Sequence, residues 1–326
     1  MKKRIVSLLL ALTMCFCACS VATVPAFAAT EESADVESLQ QIESDLKMAT
    51  GDVVWGALYK FFKSNTEFFQ ESRAQLAKAD SEMLGTRFVV PRKGKTGVNV
   101  AIYTPANAKG KKLPVVFQVH GGAFVGGNAD QLDTLSARMA KKWNAVIVTI
   151  NYSKMDQVER YDTAREIIDT VQYFKKYASK YHIDKSKTVL LGYSAGGYYV
   201  GLSAIQMAKE GKDLGLLIMG YPFAGDLGDI YDSMTDKQKE NFCPTVIITD
   251  TDPLKYNAWR LGFHLKYNGV EVSEKYYPEA EHGFIEQNNP EYAETNADDP
   301  ARGPGQKAYA RDAEAFMGEC IDGYLG

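Results

Sequence analysis

The sequence predicts an α/β fold: a mostly parallel, doubly wound sheet of eight strands, with helices on both faces and a small N-terminal helical lid. Apolar runs rich in β-branched residues alternate with amphipathic helical segments, as in repeated strand–helix–strand units. Residues 113–120 and 145–151 are mainly apolar runs, typical of parallel strands buried on both faces. Glycine-containing turns follow several of the strands, where such sheets place their binding loops.

Residues 1–28 have the features of a signal peptide. Lys2, Lys3 and Arg4 precede an apolar run, and Ala26-Phe27-Ala28 presents small residues at both positions that signal peptidase reads. The apolar run is too short for a stable membrane span. We therefore expect a secreted protein, and anchoring at the cell surface through a lipidated cysteine of this segment is the alternative.

The charge and cysteine content narrow the classes of partner. Residues 1–28 carry three cations and no acids, so their removal moves the net charge from −4 to −7. An acidic chain of this kind is not expected to bind nucleic acid or an anionic membrane. Outside the signal peptide, the cysteines are Cys243 and Cys320, which we expect to be free buried thiols, and their spacing suggests no zinc site.

An aromatic-rich block at residues 55–69 predicts two short amphipathic helices. Ser64 and Glu67 have the spacing of a capping box for the second of them. We expect these aromatic side chains to pack on the main domain and to cover its binding site. The predicted organisation is therefore a signal peptide, a helical lid region at residues 29–85 and one large α/β domain at residues 86–326.

The remaining elements follow in the order that the alternating pattern requires. Residues 87–90 and 98–104 predict an antiparallel hairpin at a sheet edge. The other predicted strands are residues 113–120, 145–151, 188–191, 214–220, 244–250 and 270–277. The predicted helices are residues 130–143, 161–177, 253–267 and 306–324, and one that begins at Ala195.

The motif Gly192-Tyr193-Ser194-Ala195-Gly196 lies where a predicted strand passes directly into a helix. Such a turn brings backbones close together, and Gly192 and Gly196 supply the room. The strained turn holds the Ser194 hydroxyl clear of the sheet as a nucleophile. The N–H of Ala195 lies at the positive end of the helix dipole, where it can bind a developing oxyanion.

A second glycine motif, His120-Gly121-Gly122, comes immediately after the strand residues 115–119. Its glycines let the loop turn backbone N–H groups toward a ligand without obstruction by side chains. We therefore expect the N–H groups of Gly121 and Gly122 to complete an oxyanion hole with that of Ala195. The His120 ring is expected to brace this loop.

A histidine and two aspartates provide the other candidates for catalysis. Of four histidines, His282 alone lies in a loop beyond a strand end with no competing structural role, so we predict it as the general base. Asp252 is the candidate that orients His282, although a residue before Pro253 also suits a helix N-cap. Asp250 is the second choice. The chain order Ser194, Asp252, His282 matches a serine–acid–histidine triad on this type of sheet.

Together these motifs resemble the hormone-sensitive-lipase-like branch of the α/β-hydrolase superfamily, which consists mainly of carboxylesterases and lipases. The resemblance rests on H-G-G-A-F at 120–124, G-Y-S-A-G-G at 192–197, D-P-L at 252–254 and H-G-F at 282–284. It implies an α/β-hydrolase fold, the residue roles given above, and a small-molecule or glycan ester as substrate. The candidates for substrate contact within these motifs are Phe124, Tyr193 and Phe284.

The chain departs from the pattern of this family in two segments. The usual Y-R-L-A-P-E after the fourth strand is here Y-S-K-M-D-Q, at residues 152–157. The interval before Asp252 leaves only residues 223–242 for a cap. We therefore expect the N-terminal helices to form the main lid, and a polar insertion at residues 286–305 to form a rim.

The sequence thus predicts a serine carboxylesterase that cleaves short-acyl or acetyl esters through an acyl-enzyme, with no metal or organic cofactor. A serine peptidase or amidase could use the same residues. A non-catalytic binding protein with this fold is a further alternative, although it predicts damaged motifs and every motif here is intact.

Overall fold

The computed structural model describes residues 52–292 and 305–326. The predicted signal peptide and residues 293–304 lie outside the described part. One sheet contains eight strands, and in chain order β1 to β8 span Thr86–Arg92, Lys95–Tyr103, Leu113–Val119, Val146–Asn151, Ile183–Tyr193, Leu216–Gly220, Thr245–Thr249 and Val272–Tyr276.

The strand order across the sheet is β1-β2-β4-β3-β5-β6-β7-β8. The pairs β1–β2 and β2–β4 are antiparallel, and every later pair from β4 to β8 is parallel. This arrangement confirms the predicted mostly parallel, eight-stranded sheet with a hairpin at one edge.

Helices precede the sheet and connect its strands. In the described part of the chain, α1 to α9 span Asp52–Lys63, Thr66–Ala74, Asp133–Lys142, Arg160–Lys176, Ala195–Lys209, Leu227–Asp232, Asp236–Lys239, Leu254–Tyr267 and Gln306–Leu325. Only the two short helices α6 and α7 lie between β6 and β7, where a larger cap would be inserted. None of the described helices has the length and hydrophobicity that crossing a membrane requires.

Two strand boundaries and one helix cap differ from the predictions for local reasons. Strand β5 begins at Ile183 rather than at residue 188, because residues 184–187 are polar and at least partly exposed and so lack an apolar pattern. Strand β1 continues through Pro91, where the pairing with β2 shifts in register because proline has no N–H to donate. The capping box predicted at Ser64 is wrong: its hydroxyl donates to the carbonyl of Phe61, in the last turn of α1.

The core consists of two hydrophobic layers, one on each face of the sheet. On β3, Val115 and Phe117 face one layer and Val116 faces the other, as the two-residue period of a strand requires. Helices α4, α5 and α8 cover the first layer, and α3 and α9 cover the second. Cys243 and Cys320 lie buried in these two layers as free thiols, which confirms the prediction for them.

The two predicted N-terminal helices are present as α1 and α2, and they pack on the first layer. Trp55, Phe62 and Phe69 are buried there. The indole N–H of Trp55 donates to Oδ2 of Asp226, the residue directly before α6, at 3.1 Å. These aromatic residues therefore serve as core, and a covering role over the site stays a prediction.

Candidate active site

Ser194 lies in a strained turn between the end of β5 and the start of α5. Its backbone has φ 51° and ψ −118°, a conformation that non-glycine residues rarely adopt. A Cβ atom at Gly192 would lie 2.3 Å from the carbonyl oxygen of Gly196, and one at Gly196 would lie 2.4 Å from that of Val119. Glycine is therefore required on both sides of the serine.

The imidazole of His282 lies next to Ser194, at the edge of the sheet where the parallel strands have their carboxyl ends. His282 Nε2 lies 2.9 Å from Oγ of Ser194, within hydrogen-bonding distance. Since Nδ1 faces carboxylates, the proton of the neutral ring belongs on Nδ1, and Nε2 accepts the hydroxyl proton of Ser194. The ring of Tyr221 packs edge-on against His282, with a centroid distance of 5.1 Å. This pair has the geometry of a nucleophile and its general base.

Both candidate aspartates face His282 Nδ1. Oδ2 of Asp250 lies 3.4 Å from Nδ1, and Oδ2 of Asp252 lies 3.9 Å from it. Oδ1 of Asp250 accepts the N–H of Asp252, and Oδ1 of Asp252 accepts the N–H of Leu254 at the start of α8. The Asp250 side chain is 1% exposed and that of Asp252 is 16% exposed. The geometry thus brings both candidates to His282, with Asp250 nearer and more buried.

The surroundings of His282 favour its protonated form. Burial lowers the pKa of His282, but the close approach and charge of Asp250 and the charges of Asp252 and Glu286 raise it more, so that the pKa lies above its ordinary value. An imidazolium at this position would therefore be stabilised by three nearby carboxylates.

The glycine loop after β3 lies beside Ser194, but its first N–H is occupied. The N–H of Gly121 donates to Oε1 of Glu286 at 2.8 Å. The N–H groups of Gly122, Ala123 and Ala195 donate to no group in the described residues. Gly122 and Ala195 therefore remain available as oxyanion donors, whereas Gly121 would first have to leave Glu286. The assignment of the Gly121, Gly122 and Ala195 N–H groups as oxyanion donors stays a prediction.

Glu286 is a further site residue that the sequence does not predict, because it lies in the segment whose polar composition predicts a rim. Its side chain is buried, and burial raises its pKa to about 7 although the Gly121 N–H, the charge of His282 and the Tyr221 hydroxyl lower it. An acid in a polar stretch normally lies in solvent. The one signal that the sequence offers is the position of Glu286 four residues after His282.

His120 supports the glycine loop from behind. Its Nδ1 donates to the carbonyl of Gly121, and its ring stacks on Tyr152, with a centroid distance of 4.6 Å. Burial, together with the nearby charge of Lys154, holds the pKa of His120 well below its ordinary value. A neutral, stacked ring matches the bracing role expected for it.

The three candidates for substrate contact are all buried. Phe124 packs edge-on against Trp55, with a centroid distance of 5.4 Å. The Tyr193 hydroxyl accepts a hydrogen bond from Gln118, and Phe284 packs against Tyr221 in the second core layer. Phe124 therefore belongs to the first core layer, and Tyr193 and Phe284 belong to the second. Substrate contact by these residues stays a prediction.

The sequence is similar to one protein-family model and to known esterases. The BD-FAE family model matches residues 100–253, a segment that includes the glycine loop, Ser194 and both aspartates and ends before His282. Carboxylesterase 20 of Arabidopsis thaliana is 28% identical over 151 residues, which cover 43% of this chain and 46% of that protein. The acetyl esterase of Salmonella paratyphi B is 27% identical over 132 residues, which cover 40% of each chain. The chain thus spans less than half the length of these curated relatives.

A similar fold occurs in the crystal structure of carboxyl esterase 2 from the mycorrhizal fungus Tuber melanosporum. The TM-score is 0.61 at 17% identity, over 75% of this chain and 88% of that one. The sheet order, the strained serine between β5 and α5, and this structural similarity show that the chain has an α/β-hydrolase fold.

Proposed function

We propose that this protein is a serine carboxylesterase that hydrolyses esters of short carboxylic acids, acetyl esters foremost. The observation that carries the proposal is the 2.9 Å contact between His282 Nε2 and Ser194 Oγ at a strained turn beside unoccupied backbone N–H groups. The match to an acetyl esterase and a carboxylesterase supports the same chemistry.

The proposed reaction follows from this geometry. Ser194 attacks the ester carbonyl while His282 takes the hydroxyl proton, and the N–H groups of Gly122 and Ala195 bind the oxyanion of the tetrahedral intermediate. The intermediate collapses as His282 returns the proton to the alcohol, which leaves. Water activated by His282 then attacks the acyl-enzyme and releases the acid.

The nearer aspartate is the better candidate for the orienting acid. Asp250 is buried, and its Oδ2 has no hydrogen-bond partner in the described residues, as is also true of His282 Nδ1. The two atoms face each other at 3.4 Å, and such catalytic contacts often shorten when substrate binds. We therefore assign the orienting role to Asp250 and a supporting charge to Asp252, the reverse of the order that the sequence favours.

The preference for short acyl groups rests on the aromatic residues next to Ser194. The N–H of Phe223 donates to the Ser194 carbonyl, and its ring packs against Phe124 and Trp55 with centroid distances of 5.5 and 6.0 Å. A long acyl chain on this side would have to displace packed rings. An acetyl group needs no such rearrangement.

Hydrolysis of p-nitrophenyl esters of increasing acyl length by the wild type and by Ser194→Ala tests the proposal. We expect the highest kcat/KM at acetate and a loss of about four to six orders of magnitude in kcat for Ser194→Ala. Ser233→Ala, which changes an exposed serine, serves as the control. Near-normal turnover by Ser194→Ala would refute the mechanism, and faster cleavage of the matching anilide would indicate an amidase.

A further inference from the structure

Glu286 contacts both the glycine loop after β3 and the residues around His282. Its Oε1 accepts the N–H of Gly121 at 2.8 Å, and its Oε2 lies 3.4 Å from the hydroxyl of Tyr221. The same hydroxyl accepts the backbone N–H of Glu286 at 3.2 Å, and the ring of Tyr221 contacts His282. The carboxylate therefore joins the glycine loop to the surroundings of the general base.

The carboxylate also lies close to the nucleophile. A Cβ atom added at Gly121 would lie 2.9 Å from Oε2 of Glu286 and 3.2 Å from Cβ of Ser194. The first glycine of the loop is thus enclosed between the nucleophile and the carboxylate. This close packing leaves the loop little freedom to change its backbone conformation while Glu286 is in place.

The segment that carries Glu286 is itself fixed to the histidine loop. The side-chain amide of Gln287 donates to the carbonyl of His282 at 3.1 Å, and its backbone N–H donates to the carbonyl of Gly283 at 2.9 Å. Asn289 donates through its side-chain amide to the carbonyl of Glu286. These hydrogen bonds hold His282 and Glu286 in one turn of the chain.

Within the described residues, Glu286 has no lysine or arginine as an ion-pair partner. A buried carboxylate without a cation is costly, and its ionised form is favoured by hydrogen bonds and by opposite charge nearby. The Gly121 N–H supplies a hydrogen bond, and a protonated His282 supplies the opposite charge. In return, the negative charge of Glu286 stabilises the imidazolium that acyl transfer creates.

We propose that Glu286 is a positioning residue: its carboxylate holds the Gly121 N–H so that the glycine loop keeps its shape beside Ser194, and its charge favours the protonated His282. This inference rests on the proposed ester hydrolysis. It gives the Gly121 N–H a structural partner and leaves the N–H groups of Gly122 and Ala195 for the oxyanion.

The other titratable groups around this unit limit what a pH experiment reports. Asp250 and Asp252 face His282 from the loop after β7. The groups that interact with Glu286 besides His282 are tyrosines, and burial holds their pKa values well above the ordinary value, so they stay neutral: Tyr152, Tyr193, Tyr221 and Tyr292. The effect of a substitution at Glu286 is therefore measured through the titration of His282.

Titration of the His282 imidazole by NMR tests the electrostatic part without any turnover. The chain has four histidines, and the resonance of His282 is assigned by its loss in His282→Gln. We expect the pKa of His282 to be lower in Glu286→Gln than in the wild type, because a nearby negative charge has been removed. Glu291→Gln is the control, since that carboxylate contacts Thr134 and Lys78 instead. An unchanged titration of His282 in Glu286→Gln would overturn the proposal.

Steady-state kinetics test the positioning part. Glu286→Gln keeps an oxygen that can accept the Gly121 N–H, so we expect kcat to fall less than about tenfold and the acid limb of kcat/KM to move to lower pH. Glu286→Leu removes both functions, and we expect kcat to fall up to about 100-fold with KM nearly unchanged. Wild-type kcat in Glu286→Leu would contradict the proposal. Absence of ester turnover in the wild type would refute the proposed function, and the titration alone would then decide the role of Glu286.

Discussion

The imidazole of His282 has two aspartates near Nδ1 rather than one. Their Oδ2 atoms lie at 3.4 Å and 3.9 Å, and each Oδ1 is held by a backbone N–H in the turn before α8. Because both side chains are fixed by the backbone, the difference in their distances reflects the turn itself. The nearer and more buried carboxylate, Asp250, interacts more strongly with the ring.

Substitution of the two aspartates by asparagine separates their roles. We expect Asp250→Asn to lower kcat by about three to four orders of magnitude, because an amide cannot stabilise the imidazolium or fix the tautomer. Asp252→Asn should lower kcat by no more than about tenfold. Comparison of kcat for the two variants, with unfolding curves to confirm that both fold, makes this test. A larger loss in Asp252→Asn would restore the assignment that the D-P-L motif predicts.

Helix α2 is attached to the main domain by a buried ion pair. The guanidinium of Arg73 binds both carboxylate oxygens of Asp156, with Nη1–Oδ1 at 2.7 Å and Nη2–Oδ2 at 2.9 Å. Asp156 is fully buried, and Nη1 also donates to the carbonyl of Val125, whose own N–H donates to the carbonyl of Gly122. An N-terminal helix thus supports the loop that carries the predicted oxyanion donors.

Loss of this ion pair should destabilise the fold. Arg73→Met leaves Asp156 buried without a counter-charge, so we expect the free energy of unfolding in urea to fall by about 3–5 kcal/mol. A second change, Asp156→Leu, should restore part of the loss, since a pair of apolar groups carries no such penalty.

The partly exposed pair between Arg165 and Glu210 provides the control for this experiment. Arg165→Met should cost at most about 1 kcal/mol, because solvent screens an exposed pair. Equal losses in Arg73→Met and Arg165→Met would show that the buried pair does not hold α2 in place.

At the scale of the whole molecule, the sheet brings distant parts of the sequence together. His120, Ser194, Asp250 and His282 follow four different strands, and parallel pairing places the carboxyl ends of those strands at one edge. The mostly parallel sheet with its edge hairpin and the serine–histidine pair could be predicted, because they depend on apolar runs, on glycine spacing and on the loop position of His282. These are local properties of the sequence, whereas the order of the strands across the sheet is not.

Other parts of the site depend on distances that no local pattern encodes. The choice between Asp250 and Asp252 depends on about half an ångström at His282 Nδ1. Glu286 lies in a polar segment, and its burial follows from the packing of that segment against the glycine loop. Such contacts join residues far apart in the chain, for example Gly121 and Glu286, and require the folded sheet.

Covalent labelling with a p-nitrophenyl phosphonate ester identifies the nucleophile, because the phosphonyl group stays on the residue that displaces p-nitrophenol. We expect the label to map by mass spectrometry to the peptide containing Ser194. Loss of p-nitrophenyl acetate hydrolysis should then follow the labelled fraction one for one. Full esterase activity in protein labelled at Ser194, or a label on another residue that accounts for the loss, would contradict the assignment of Ser194 as the nucleophile.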